Sequence, residues 1–182
     1  MFFRFVASAF TLSLAALTAP AAQPASPYVG QETRDIKALA PEDAAALLQG
    51  KGMGLAKAAE LNGYPGPAHV LELAVALALT AEQRSQTEAL FAAMESRAQS
   101  LGRALVEEER KLDRLFATKS VTEESLHRSL AEIGVLQAQV RAAHLQAHLA
   151  QVAILTSEQV AQYAKLRGYS EAGTAGHSGH KH

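Results

Sequence analysis

Residues 79–123 read LTAEQRSQTEALFAAMESRAQSLGRALVEEERKLDRLFATKSVTE, and this stretch decides the fold. It opens on a helix start. The Thr80 hydroxyl can accept from a free backbone N–H one turn on, and the Gln83 side chain can reach back to the Thr80 amide. From there to Ala117 the residues are good helix formers without proline, and Gly102 is the weak point. Leu90, Met94, Leu101, Leu105, Leu112 and Phe116 alternate intervals of four and seven, a repeat that keeps one stripe facing one partner along the helix. The pattern breaks at residues 118–120. Ser120 and Glu123 form a second start signal, so a second long helix is expected over 121–154, with Leu126, Leu130, Ile133, Leu136, Val140 and Ala147 as its stripe. So short a connection folds the two helices back as an antiparallel hairpin, with arms of roughly 50 Å.

The opening pentapeptide returns as LTSEQ at 155–159, where Leu155 and Val160 add a hydrophobic staple; the first copy has Arg84 at the staple position. Thr156 therefore caps a last helix, 157–167, that ends at Gly168. Upstream, residues 28–79 are broken by Pro41, Gly50, Gly52, Gly54, Gly63, Pro65, Gly66 and Pro67, leaving room for short helices at 42–48, 55–61 and 68–77. No run of alternating β-branched residues reads as a strand, so the fold class is all-α. Leu145, Leu149 and Val152 lie off the main stripe of the second arm and predict a second buried surface, covered by the short helices or by a second subunit.

Arg4, an uncharged apolar run at 5–17 and the small residues Ala19, Pro20 and Ala21 form a secretory signal cut after Ala21 or Ala22; the competing reading is an uncleaved anchor. The expected organisation is a signal peptide at 1–22, a linker with short helices at 23–79, a hairpin core at 80–169 and a flexible His-containing tail at 170–182. No later stretch reads as a stable membrane span. Losing Arg4 takes the formal charge from −1 to −2, which argues against a nucleic-acid partner. With no cysteine, thiolate metal sites and thiol redox chemistry are excluded.

The two L-T-x-E-Q copies, together with GMGLAKAAELNGYPGP at 52–67 and YAKLRGY at 163–169, resemble the LTxxQ-motif family over residues 28–169. These are the Spy/CpxP-like periplasmic refolding chaperones and heavy-metal-resistance proteins. The resemblance implies a periplasmic, ATP-independent chaperone-like protein that binds unfolded or misfolded periplasmic proteins in envelope or metal stress. It also implies a homodimer of interlocked hairpins. The alternative branch is a heavy-metal-binding sensor or buffer for Zn, Ni, Co or Cu using helix-borne and tail histidines. A third class is an inhibitory partner of a sensor kinase or anti-sigma factor.

Read residue by residue, the chain shows no catalytic constellation and is expected not to be an enzyme or to require a cofactor. The glycines at 50, 52 and 54 lack the spacing of a phosphate loop and read as a helix break. His144 and His148, four apart on the second arm, face one way and can share a divalent metal through neutral nitrogens; the competing reading makes His144 a packed, hydrogen-bonded core residue. His69 and Glu72 are further candidate ligands if their helix folds against the end of that arm, and Met53 is a weaker soft ligand. His177, His180 and His182 form a tail cluster able to collect Zn, Ni or Cu without preformed geometry, the competing reading being a solvated tail.

Overall fold

A computed structural model describes residues 25–169, so the expected signal peptide and the tail with His177, His180 and His182 lie outside the described residues. The chain divides into two units, Met1–Glu32 and Thr33–His182. In the first, the described residues make successive turns, with the Val29 N–H donating to the Ser26 carbonyl at 3.2 Å and the Gln31 N–H to the Tyr28 carbonyl at 3.0 Å. The second unit is all-α. Among its described residues are α1 (Pro41–Leu48), α2 (Lys57–Glu60), α3 (Pro67–Glu72), α4 (Ala81–Ala117), α5 (Glu123–Ile154) and α6 (Ser157–Leu166).

Helices α4 and α5 pack together as the expected hairpin. Helix α4 closes on a left-handed residue, Lys119 (φ 55°), whose N–H bonds the Phe116 carbonyl while the Ser120 N–H bonds that of Leu115. Because this closure consumes Ser120, whose Oγ lies 2.7 Å from Thr118 Oγ1, α5 starts two residues later than expected. Its cap is Thr122, which accepts from the Ser125 N–H at 3.1 Å while Ser125 Oγ accepts from the Thr122 N–H at 2.9 Å.

The buried seam differs from the stripes of large side chains. On α4 it runs through Thr87, Ala98, Gly102, Leu105, Val106 and Glu109, whereas Phe116 is 55% exposed. On α5 it runs through Ser129, Ile133, Leu136, Val140, Ala143, His144, Ala147 and Gln151, and Leu130 is exposed. Gly102 takes a core position because backbone comes close to it. A Cβ added to Gly102 would stand 2.1 Å from the Leu47 carbonyl oxygen, so the end of α1 lies directly on α4 at that point. The residue that weakens α4 as an isolated helix thus admits α1.

Two apolar clusters fill this unit. One gathers Ile36, Leu47, Leu105, Val106, Ile133, Leu136 and Val140 under α1; the other gathers Val70, Leu77, Leu155 and Tyr163 where α3 and α6 meet, with Val160 packed against it. The outer face of α5 is uncovered by described residues at Ala131, Val135, Ala138 and Leu149 and only partly covered at Ala142, Leu145 and Val152. These seven positions follow the four-three spacing of a helix seam. The short helices therefore cover the other side of the hairpin, and the second surface expected at Leu145, Leu149 and Val152 stays exposed at Leu149 and partly covered at Leu145 and Val152.

Candidate functional site

Both expected caps form. Thr80 Oγ1 accepts from the Gln83 N–H at 3.1 Å and Gln83 Oε1 from the Thr80 N–H at 3.1 Å; the matching distances for Thr156 and Gln159 are 3.2 and 2.9 Å. The two glutamines also join each other. Gln83 Nε2 donates to Gln159 Oε1 at 2.8 Å and Gln159 Nε2 to Gln83 Oε1 at 3.0 Å. Their second amide hydrogens go to the carbonyls of Ile154 at 2.9 Å and Leu77 at 3.1 Å. The repeated pentapeptide is thus a clasp across the open end of the hairpin, and every amide hydrogen in it is used. Beside it Thr87 Oγ1 donates to the Gln83 carbonyl at 2.7 Å and accepts from the buried Gln151 Nε2 at 3.1 Å.

Between the two apolar clusters lies a cavity of about 860 Å³. One wall comes from α4 at Phe91, Met94, Glu95 and Gln99 and another from α5 at His144, Ala147 and His148; the loop after α1, helix α2 and the start of α3 close it. The loop reverses by left-handed residues at Gly50 (φ 68°), Met53 (φ 47°) and Gly54 (φ 78°), which confirms the expected break after α1. Glycines also let it approach the histidines. A Cβ on Gly52 would lie 3.5 Å from His144 Nδ1, and one on Gly66 2.9 Å from His148 Cε1.

The structure brings His144, His148 and His69 to this one cavity. His148 Nδ1 donates to the Tyr64 carbonyl at 2.7 Å, since the carbonyl can only accept, so in the neutral ring Nε2 carries the lone pair. His144 is 6% exposed, and its Nε2 has no hydrogen-bond partner. Burial, and then the neighbouring His148, push its pKa below the ordinary value of 6.5 and favour the neutral ring. His144 is therefore packed as the core reading expected, but without the hydrogen bond. His69 Nδ1 is 2.9 Å from Glu72 Oε2, and both side chains are exposed.

A residue that no spacing marks holds this end together. Glu60 on α2 accepts through Oε1 from Tyr163 Oη at 2.5 Å and Tyr169 Oη at 3.0 Å, and Arg167 Nε lies 3.5 Å away. Burial and the Glu60 carboxylate raise the Tyr163 pKa well above its ordinary value, so the phenol stays a donor. Glu60 Oε2 is buried, unbonded and 3.8 Å from His148 Nδ1. The aromatic and basic residues of the 163–169 stretch were visible in the sequence; their common partner about 100 residues upstream was not.

The imidazole pair suits a late first-row divalent metal in donor type, and His148 has the backbone-anchored second nitrogen such ligands use. Among the described residues, however, no three His, Cys, Asp or Glu side chains lie close enough to hold an ion, so these residues do not complete a shell. In comparisons with protein-family models, curated proteins and solved structures, no match was found for this chain.

Proposed function

We propose that the chain is a periplasmic ATP-independent chaperone-like protein of the Spy/CpxP type, which holds unfolded or misfolded proteins during envelope or metal stress. The observation that carries this reading is the exposure of large apolar side chains toward the closed end of the hairpin, Phe116 at 55% and Leu130 at 49%, each beside charged residues of its own helix, Asp113 and Arg114 on α4 and Arg128 and Glu132 on α5. Such scattered apolar points bind extended clients through many weak contacts and release them without nucleotide. The doubled L-T-x-E-Q motif, now with a structural purpose for each copy, adds to the family resemblance. Among the described residues no helix is long and apolar enough to cross a membrane.

A second reading, a sensor or buffer for Zn, Ni, Co or Cu, is favoured by one observation, the Nε2 lone pair that the Tyr64 contact leaves on His148. Because the described residues supply no third ligand, this reading draws on His177, His180 or His182 of the tail, or on another molecule. One experiment tests both. Aggregation of a chemically unfolded client, followed by light scattering, should be suppressed by the metal-free protein and by a truncation after Tyr169. No suppression by the parent would overturn the chaperone reading, and suppression lost on chelation alone would put metal first.

A further inference from the structure

The cavity carries an observation that neither reading uses. Its wall gathers large apolar side chains that the fold leaves uncovered: Leu48 at the end of α1 is 43% exposed, Met53 in the loop 45% and Leu61 after α2 57%, and Phe91 and Met94 of α4 are only partly buried. Single exposed apolar residues are ordinary on a protein surface, but five that converge from separate elements on one concave space mark a binding surface. The volume of about 860 Å³ lies in the range of small-molecule sites. Residues 170–182, which follow Tyr169 at the wall, do not suit this surface, because they carry no apolar side chain larger than that of alanine. Charge orders the same space. Its deep side is closed to a polar head: His144 Nε2 is buried, and a Cβ on Gly66 would stand 3.0 Å from His148 Nε2. The Glu60 carboxylate is already engaged by Tyr163, Tyr169 and Arg167, and its Oε2 is buried. Lys51 and Lys57 line the cavity from exposed positions, and among the described residues the lysine ion pairs are those of Lys37 and Lys111. Glu95, partly buried on α4, is the acid that remains, which leaves two cations against one anion.

We propose that this cavity binds a single-chain anionic amphiphile, a carboxylate on an unbranched hydrocarbon chain. The head stays in water near Lys51 and Lys57, and the chain lies inward over Phe91 and Met94. The inference does not depend on client binding, since Phe116 and Leu130 are not part of this wall.

The test compares three probes with one chain and different heads, decanoate, decanol and decylamine, by saturation-transfer NMR and calorimetry on the purified protein at neutral pH and below micelle formation. Decanoate should bind at least about fivefold more tightly than decylamine, because contacts with two exposed lysines replace repulsion from them. That preference should shrink as salt rises from about 0.02 to about 0.5 M, since exposed charges are screened. Lys51→Gln with Lys57→Gln should erase the preference for the acid and leave decanol binding unchanged; both positions are exposed, so the pair tests the head without touching the core. Glu95→Gln should strengthen decanoate binding. Met94→Trp, filling the apolar side, should weaken all three probes alike. No binding of decanoate to the parent, decylamine bound as tightly as decanoate, an acid preference that survives the lysine variant, or binding indifferent to Met94→Trp would each overturn the proposal. Decanoate that binds only at dilutions where two copies separate would overturn it as well and assign the cavity to a second copy of the chain.

Discussion

His144 sits in the α4–α5 seam with an imidazole nitrogen that finds no partner, and burial keeps it neutral. Its native pKa is below 6.5, so between that native value and the unfolded one the unfolded chain binds more protons. Stability attributable to this group is intact above the unfolded pKa and is lost as pH falls through about 6.5, at up to about 1.4 kcal/mol per pH unit. Glu109 works the other way. Burial raises its carboxyl pKa above 4.5, so it gains relative stability as pH falls through its native value. The difference between parent and His144→Leu separates the two: denaturant unfolding from pH 7.5 to about 5.5 should show a flatter pH dependence in the variant. Equal slopes would mean His144 titrates freely in the native state. The four-residue spacing of His144 and His148 was legible in the sequence. The carbonyl that fixes the ring of His148 was not, because Tyr64 lies 84 residues away and offers only backbone.

Among the elements, the two capping boxes were legible to the residue, since a cap is a local event written within four positions. What the sequence hid is that the same two glutamines bind each other across 76 residues. The seam was misread in part for a related reason: stripes of large side chains mark where burial is strongest, while Thr87, Ala98 and Ser129 are small and still buried, and Gly102 lies directly under the Leu47 carbonyl. The boundaries of α3 also moved. Residues 73–78 form turns that close on a left-handed Ala78 (φ 48°), so the expected helix to 77 stops at Glu72. The clasp makes a quantitative prediction. Gln83→Ala and Gln159→Ala should each lower stability by about 1–2 kcal/mol, and the double variant should cost less than their sum, with a coupling of about 0.5–3 kcal/mol. Strict additivity in chemical denaturation would show that the copies act only as separate caps.

At the scale of the hairpin unit as a whole, the closed turn at Lys119 and the glutamine clasp secure opposite ends of the α4–α5 pair, and α1, α2 and α3 shield one side of it. The opposite side carries the seam-spaced face of α5, with Val135 50% and Leu149 59% exposed. A second copy laid on that face would bury it, which is the dimer that the family resemblance implies. Sedimentation of the parent at micromolar concentration should give a dimer, and Val135→Glu with Leu149→Glu should give a monomer. A monomeric parent, or a dimer indifferent to both substitutions, would rule this face out. The clasp has a consequence for inheritance as well. A drift of Gln83 to glutamate would put a carboxylate oxygen where an amide now donates, against the oxygens of Gln159 and Ile154. A change at either glutamine unpairs the other, so substitutions at these two positions 76 residues apart are expected to be coupled.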